Sequence, residues 1–260
     1  MRILFIGDIV GAAGRHIVLQ ELPHLLETYQ VDFTIANGEN VTNGNGINRQ
    51  SFDELVACGI DCFTMGNHIW DNKDIFRFIE GEPRLVRPAN FHSSRPGVGW
   101  RTFQVGEENL IVTNLVGRVY MPPVDCPFAA MDRMMAEWKG QKAAIFLDFH
   151  AEATSEKVAM AWYLDGRISA MTGTHTHVQT NDARVLPRGT GYLTDAGMTG
   201  PRDSVLGVEK EIIIERFCTG YSPRFQTASG DLQFNGVLYT LGADYRCQSV
   251  EPIQFWRPSL

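Results

Sequence analysis

Two short segments of this chain carry side chains of the types that bind metal ions. Segment 66–68 is Gly-Asn-His, which places an amide beside an imidazole, and segment 173–177 is Gly-Thr-His-Thr-His. In an extended segment, residues i and i+2 point the same way, so His175 and His177 can face one point together. Two histidines on one face, bracketed by small residues, favour a metal site.

Further candidate ligands lie elsewhere in the chain. Asp8 follows the first apolar run, Glu39 and Asn40 form an acidic-amide pair, and His150 closes a later apolar run. Carboxylates, an amide and several imidazoles suit manganese, iron or zinc. A set this mixed exceeds the needs of one ion and indicates a two-metal site, and such sites usually cleave phosphate esters.

Apolar runs and helical spacing predict the elements that must position these residues. The predicted strands are 3–6, 33–36, 62–65, 110–113, 143–149 and 168–172. The predicted helices are 19–29, 51–58, 74–79 and 154–164. Pro23 either starts a second helix or kinks the first, and Ser51 with Glu54 has the pattern of a capping box. Strands that alternate with helices predict an α/β core with mostly parallel pairing.

The candidate ligands share one position on this map, the carboxyl end of a predicted strand. Asp8 follows the first strand, Glu39 and Asn40 the second, and Asn67 the third, while the histidines follow the two later strands. Open α/β sheets place their active sites at these strand ends. Scattered core histidines would have no reason to follow this rule.

The C-terminal part and one internal stretch have a different character. Asn235-Gly236 stands between alternating residues, which predicts a β-hairpin. Segment 247–256 is predicted as a strand, and Pro252 places it near a sheet edge. Segment 83–99 is rich in Pro, Gly, Ser and Arg, which predicts a surface loop.

The composition predicts a globular protein with a small substrate. The 260 residues are 44% hydrophobic and 20% charged, and no linker interrupts them, so we expect one domain over residues 1–260. The formal net charge of −7 lacks the basic excess that grips nucleic acid, so we expect no stable nucleic-acid complex. This negative charge is compatible with a small anionic substrate, because metal ions supply local positive charge.

The cysteines and the N-terminal run predict a compartment. Five cysteines form no CxxC pair, which favours free thiols and a reducing environment. The first apolar run spans only 3–6 and ends before Asp8, too short for a secretory segment or a membrane span. We therefore expect a cytoplasmic protein without membrane association. A symmetric homo-oligomer is the general expectation for such a chain.

The ordered blocks resemble the calcineurin-like metallophosphoesterase superfamily. Its members carry Asp after strand one, an acidic residue after strand two, Gly-Asn-His after strand three, a later His, and Gly-His-x-His. The corresponding residues are Gly7-Asp8, Gly38-Glu39-Asn40, Gly66-Asn67-His68, His150 and Gly173-Thr174-His175-Thr176-His177. The resemblance implies an α/β fold of central β-sheets flanked by helices, in α/β/β/α layers. Two positions depart from the pattern: the histidine of Asp-x-His is missing, and Glu39 replaces the usual Asp.

Other segments are similar to the YmdB-like bacterial branch of this superfamily. They are 43–46 (Asn-Gly-Asn-Gly), 67–71 (Asn-His-Ile-Trp-Asp) and 194–201 (Thr-Asp-Ala-Gly-Met-Thr-Gly-Pro). The branch is associated with phosphodiesterase activity on 2′,3′-cyclic nucleotides, so the resemblance implies a small phosphodiester substrate.

The resemblance also implies a ligand set for two divalent or trivalent metal ions, iron or manganese first and zinc as an alternative. One site would use Asp8, Asn40 and His177, with Asn40 in place of the missing histidine. The other site would use Asn67, His150 and His175. Glu39 would bridge both ions.

His68 is the candidate general acid. It adjoins Asn67 and cannot easily reach the same metal, and the ordinary pKa of an imidazole lies near working pH. In the expected reaction, a water bridging two cations becomes a hydroxide that attacks phosphorus, and His68 protonates the leaving ribose oxygen. The alternative is that His68 only hydrogen-bonds a phosphate oxygen.

Weaker signals concern the substrate pocket. Asn43, Gly197 and Thr199 could line it, although tight turns explain all three equally well. Arg118 follows an apolar strand and could meet a phosphate, although most arginines are solvated. Asp71 could orient His68 or cap a helix.

Three other functions compete with this interpretation. Gly7, Gly11 and Gly14 follow a strand, but their spacing differs from the dinucleotide-binding fingerprint. A metal-binding regulatory module with little turnover would keep the same ligands, although it would not need His68. A phosphomonoesterase or phosphoprotein phosphatase would use the same metal core with different loops.

Overall fold

The computed structural model describes residues 1–221 and 223–259. The helices are α1 (Gly11–Tyr29), α2 (Arg49–Cys58), α3 (Pro127–Glu137), α4 (Thr154–Leu164) and α5 (Lys210–Thr219), with a 3-10 helix at Lys73–Arg77. The strands are β1 (Arg2–Ile6), β2 (Asp8–Ile9), β3 (Phe33–Asn37), β4 (Cys62–Thr64), β5 (Leu85–Val86), β6 (Trp100–Val105), β7 (Glu108–Val116), β8 (Ala144–His150), β9 (Ala170–Thr174), β10 (Arg184–Val185), β11 (Gly191–Leu193), β12 (Met198–Pro201), β13 (Leu232–Leu241) and β14 (Cys247–Arg257). Within these described ranges, no helix is both long and apolar enough to cross a membrane.

The strands form two sheets. The first has the order β2-β12-β13-β1-β3-β4-β5, with β14 paired to β13, and the second has the order β10-β11-β9-β8-β7-β6. The strands β1, β3 and β4 run parallel in the first sheet, and β7, β8 and β9 run parallel in the second. Because parallel neighbours end at the same edge, each sheet brings its candidate ligands together.

Three apolar clusters separate four layers. Alternate residues of β1 face opposite ways: Leu4 and Ile6 pack with the helices α1 and α2, whereas Ile3 and Phe5 face the second sheet. On β8, Phe146 joins the core between the sheets, and its neighbours Leu147 and Phe149 pack against α3 and α4. The layers are therefore helix, sheet, sheet, helix, as predicted.

The first helix is longer than predicted. It begins at Gly11 and continues through Pro23 to Tyr29 as one element. A proline removes the N–H that would bond the carbonyl four residues earlier, here that of Leu19. The Cys58 thiol of α2 lies 3.9 Å from that carbonyl oxygen and 3.7 Å from that of Val18. The freed carbonyl thus has a partner, which helps the helix to tolerate its proline.

The start of α2 corrects the predicted cap. The capping residue is Asn48, whose side chain accepts the N–H of Ser51 at 2.8 Å. Ser51 lies inside the helix and does not cap it. An asparagine is as good a cap as a serine, so the capping-box pattern alone could not choose between them.

The predicted hairpin at Asn235-Gly236 is wrong. Both residues lie inside β13, where Gly236 pairs with Ile6 on one side and Ile253 on the other. A Cβ on Gly236 would lie 2.8 Å from the carbonyl oxygen of Phe5, so this glycine permits close approach of two strands. The chain reverses at 242–246, where the Gly242 N–H bonds the carbonyl of Arg246 at 2.8 Å.

Two other C-terminal and loop predictions have mixed outcomes. The strand predicted at 247–256 is confirmed as β14, which pairs with β13 alone among the described strands and carries Pro252 opposite Val237. The surface loop predicted at 83–99 is only partly confirmed. It contains β5, and Arg87 and Asn90 within it are buried.

Candidate metal centre

Four candidate ligand atoms meet at the ring of His150. Its Nε2 atom lies 3.0 Å from Glu39 Oε1, 3.1 Å from Asn67 Oδ1 and 3.0 Å from His175 Nδ1. A ring nitrogen carries at most one proton, so it cannot form hydrogen bonds to all three atoms. The ligand atoms of Glu39, His150 and His175 lie within 4.8 Å of one another. A cation placed among these atoms would use all four as ligands.

A second group, Asp8, Asn40 and His177, lies beside the first. Asp8 Oδ1 is 3.9 Å from His177 Nε2 and also 3.9 Å from His150 Nδ1. Asp8 Oδ1 and Asn40 Oδ1 are both buried and have no hydrogen-bond partner among the described residues. A buried polar atom without a partner costs about 1–3 kcal/mol, which a cation would relieve. The donors of both groups therefore fit metal ions.

Asn40 is oriented for this role by its other amide atom. Its Nδ2 donates to the carbonyl oxygen of Gly44 at 2.8 Å, and its Oδ1 is buried without a partner among the described residues. Glu39 lies between the groups: Oε1 contacts His150, and Oε2 accepts the backbone N–H of His68 at 3.0 Å. The bridging role of Glu39 stays a prediction.

The buried charges of the centre favour a bound cation. Burial and the neighbouring carboxylates raise the pKa of Asp8 well above its ordinary value, although His150 opposes the shift. Burial disfavours charge on both Glu39 and His150, yet their contact lowers the pKa of Glu39 to about 2 and raises that of His150 to about 9. Without a metal ion, a protonated His150 is thus the main counter-charge for Glu39, a place that a metal ion would take.

A relay of hydrogen bonds sets the tautomer of His150. Asp148 Oδ1 accepts the hydroxyl proton of Thr174 at 2.7 Å, so Thr174 Oγ1 in turn accepts from His150 Nδ1 at 2.8 Å. Nδ1 therefore keeps its proton, and Nε2 is the nitrogen that would lose its proton and offer a lone pair to a metal ion. Asn37 and Thr64 donate to the other oxygen of Asp148, which holds the carboxylate in place.

The other two histidines are oriented in the same manner. His175 Nε2 lies 3.1 Å from Glu152 Oε2, which leaves Nδ1 for the centre. His177 Nδ1 donates to the carbonyl oxygen of Leu206 at 3.0 Å, which leaves Nε2 facing Asp8. Burial, followed by the charge of His150, lowers the pKa of His175 to about 3 and keeps this ring neutral. A neutral imidazole with one anchored nitrogen is the form that binds metals.

The loop that carries these two histidines has an unusual backbone. His175 has φ 93° and His177 has φ 65°, a region that side chains other than glycine rarely adopt. Thr176 between them is held by Asp195, which accepts its N–H at 3.2 Å and its hydroxyl at 2.6 Å. Lys157 Nζ pairs with the same carboxylate at 2.6 Å, and both members of this ion pair are buried. The buried ion pair therefore stabilises the backbone conformation of the 175–177 loop.

Gly66 explains why the first motif begins with glycine. A Cβ at this position would overlap Glu39 Oε2 and the Nε2 and Cδ2 atoms of His150. The ligands pack directly against the backbone of the 66–68 segment, and no other residue leaves room for them.

His68 stands apart from the ligand atoms. Its Nδ1 lies 2.8 Å from Asp71 Oδ2, and 36% of its side chain is exposed. Of the two roles considered for Asp71, the contact with His68 is present, whereas the 3-10 helix is capped by Asn72. Among the described residues, Nε2 of His68 has no hydrogen-bond partner, and the ring lines the cavity described next.

A cavity of about 300 Å³ adjoins the centre, and its lining can be compared with the residues suggested to bind the substrate. His68, His177 and Asn43 line it, and the predicted role of Asn43 in substrate binding stays a prediction. Gly197 and Thr199 are not among the described residues that line it, so this cavity lends no support to their predicted place at the substrate. Thr199 is buried and bonds Asn235 through its hydroxyl, and the carbonyl of Gly197 lies against Gly7. Arg118 is exposed and lies outside this lining, with its backbone N–H bound to Glu156.

Several supporting residues were missed by the sequence analysis. They are Asp148, Glu152, Lys157, Thr174 and Asp195. Asp148 had a detectable signal, because it precedes His150 by two residues on the same strand and shares its face. Asp195 belongs to the 194–201 segment already noted, but its pairing with Lys157 had no signal, since the two residues meet only in the folded chain.

The family-model comparison decides the assignment. The model described as YmdB-like protein matches residues 4–253. The chain belongs to this family. Its four-layer fold is that of the calcineurin-like metallophosphoesterases, as the sequence predicts.

Relatives of the YmdB-like family agree in sequence and in structure. The 2′,3′-cyclic-nucleotide 2′-phosphodiesterase of Bacillus subtilis (strain 168) is 51% identical over 238 residues, which cover 92% of this chain and 90% of that protein. The crystal structure of a hypothetical protein from Thermus thermophilus has a TM-score of 0.94 at 41% identity and covers 99% of this chain and 100% of its own. A phosphatase from Mycoplasma pneumoniae also has a TM-score of 0.94, at 34% identity, covering 99% and 94%.

Proposed function

We propose that this protein is a metal-dependent phosphodiesterase that hydrolyses small phosphodiesters, with 2′,3′-cyclic nucleotides as the substrate class. The observation that carries the proposal is the convergence of Glu39, Asn67 and His175 on His150 Nε2. The name of the Bacillus subtilis relative supports the substrate class. The cavity beside the centre gives a small ester access to it.

The proposed ligand assignment follows the two groups. Asp8, Asn40 and His177 would hold one ion, Asn67, His150 and His175 the other, and Glu39 both. Two cations held there would activate a water molecule for attack on phosphorus and neutralise charge on the phosphate oxygens. Iron or manganese is the proposed metal and zinc the alternative, since oxygen and nitrogen donors accept all three.

His68 is proposed as the general acid. Asp71 holds the Nδ1 proton of its ring, so the Nε2 atom can present a proton to the leaving ribose oxygen when the ring is charged. The partial exposure of the ring lets solvent restore the proton after each turnover.

The proposed setting of the enzyme is the cytoplasm, and the state of its cysteines supports this proposal. All five cysteines are free thiols in the structure, which fits a reducing compartment. A symmetric homo-oligomer is proposed on general grounds.

The test is hydrolysis of three esters by metal-stripped protein to which Mn²⁺ is added back. The esters are bis-p-nitrophenyl phosphate, p-nitrophenyl phosphate and 2′,3′-cyclic AMP, and His177→Ala serves as the ligand-deficient control. Metal-dependent cleavage of both diesters, lost in the control, is the expected result.

The other outcomes separate the alternatives. Cleavage of p-nitrophenyl phosphate alone would overturn the diesterase proposal in favour of a phosphomonoesterase. Normal metal loading without cleavage of any ester would favour a regulatory module. The dinucleotide-binding alternative lacks support, because the Asp8 carboxylate is buried among the ligands and not at a pyrophosphate site.

A further inference from the structure

The cavity beside the metal centre has two walls of different chemistry. Asn40, Asn43, His68 and His177 form a polar wall that belongs to the centre. The cavity's apolar lining, here called the apolar wall, consists of Val10, Leu206, Val208 and Phe225. A phosphate needs only the polar wall, so the apolar wall indicates a substrate with a second, flat and apolar part.

Phe225 is the aromatic member of the apolar wall. Its side chain is 46% exposed, although a phenyl ring gains free energy from burial. The guanidinium of Arg216 lies over the ring, 5.3 Å from its centroid, and covers one face. The ring thus carries a cation on one face and still keeps nearly half of its surface exposed. Such a half-covered ring can stack with a planar group on its open face.

A second cavity continues beyond the ring. It has a volume of about 660 Å³ and shares Asn43, Asn45 and Phe225 with the first. Asn72, Lys73 and Arg224 also line it, so it offers hydrogen-bond donors beside the ring. A planar group stacked on Phe225 could place its polar edge toward these side chains.

We infer that Phe225 is the platform on which the nucleobase of the substrate stacks, with Leu206 completing the apolar wall. The inference rests on the proposed function and deepens it, because it assigns the residue that binds the base of the proposed cyclic-nucleotide substrate. The ring provides affinity without selecting one base, because every base has a flat face to stack.

The experiment compares two substrates that differ only in the base. The substrates are 2′,3′-cyclic AMP and 1-O-methylribose 2′,3′-cyclic phosphate. Each is assayed with the metal-loaded parent protein and with the variants Phe225→Ala and Phe225→Trp. Phe217→Ala is the matched control, because Phe217 is 84% exposed and lines neither cavity.

The expected result is selective. Phe225→Ala should lower kcat/KM for 2′,3′-cyclic AMP by roughly 5- to 100-fold, mainly through KM, and leave the base-free ester unchanged. Phe225→Trp should keep the parent value, and Phe217→Ala should alter neither substrate. Equal losses on both substrates, no loss on either, or the same loss in Phe217→Ala would overturn the inference.

A binding measurement separates this inference from the proposed function. Calorimetric titration with adenosine 3′-monophosphate needs no turnover, and Phe225→Ala should weaken this binding by a similar factor. If the parent protein cleaved neither cyclic phosphate, the proposed function would fail while the titration still tested the platform. If it cleaved both esters with equal kcat/KM, the function would stand and the platform would be refuted.

Discussion

Among single residues, His68 differs from the three buried or half-buried histidines of the centre. Those histidines have one ring nitrogen anchored and the other directed at ligand atoms. His68 has one nitrogen on Asp71 and the other open to the cavity. This difference in partners separates a proton donor from a metal ligand.

Replacing His68 by alanine should slow chemistry without loss of metal. We expect kcat on 2′,3′-cyclic AMP to fall by roughly 10²–10⁴-fold, because no other described group is placed to protonate the leaving oxygen. Metal content, measured by elemental analysis after dialysis, should equal that of the parent protein. Loss of metal, or an unchanged kcat, would contradict the assigned role.

The Thr174 hydroxyl should control metal affinity through His150. Thr174→Val has nearly the same shape but cannot join Asp148 to His150, so the ring loses its fixed tautomer. We expect metal affinity to fall by about 10- to 100-fold, measured by competition with a chelator. Thr174→Ser keeps the hydroxyl and should retain the parent affinity. The relay would be refuted if Val and Ser variants bound metal alike.

At the scale of elements, the turns that follow the strands carry the candidate ligands, and glycine in these turns allows close packing. Gly66 follows β4 and lies against Glu39 and His150, while Gly173 lies near the end of β9 against the carbonyl of Thr194. The motif glycines are therefore needed because they have no side chain. At these positions, the Cβ of any other residue would overlap a ligand or the backbone of a neighbouring strand.

A methyl group at position 66 should therefore displace the ligands. In Gly66→Ala the new Cβ overlaps Glu39 and His150, and we expect metal content and diesterase activity to be lost together. Gly81→Ala is the control, because nothing lies within 4 Å of its Cβ position and activity should be kept. Elemental analysis measures the metal content of each variant, and circular dichroism checks that it is folded. Full diesterase activity in Gly66→Ala would show that the turn can move and would contradict this prediction.

At the scale of the whole molecule, the centre lies between the two sheets. Asp8, Glu39 and Asn67 come from the first sheet and its turns, whereas His150 and His175 come from the second. Bound metal would therefore connect the carboxyl edges of both sheets, and its binding free energy would add to the stability of the fold. That residues 1–260 form one domain stays a prediction.

Removing the metal should lower the melting temperature. At a free metal concentration of 100 Kd, one site adds about 2.7 kcal/mol, which corresponds to roughly 5–10 °C in a chain of this size. Calorimetry with and without a chelator measures this difference, and His177→Ala should show a smaller one. His92→Ala is the control, because this ring bonds only Ser94 among the described residues. An unchanged melting temperature after verified metal removal would contradict the connection.

The sequence by itself determined six of the strands (β1, β3, β4, β7, β8 and β9), their alternation with helices and the strand-end position of every candidate ligand. These features are local: apolar runs, turn residues and the two-residue period of a strand are present before folding. The same local reasoning failed at Asn235-Gly236, where a good turn dipeptide lies inside β13 because Gly236 lets β1 approach closely. It also failed at Ser51, where Asn48 was an equally suitable cap.

Only the tertiary structure decided which distant residues meet. Asp8 and the backbone of His175 are 167 residues apart, and Lys157 reaches Asp195 across 38. Likewise, Phe225 could be assigned to the cavity only when the fold placed it in the same lining as His177. The physical reason is that sheet order and layer packing set these contacts, and neither leaves a periodic signal in the chain. The sequence therefore determined the chemistry that is available, and the fold decided where its atoms converge.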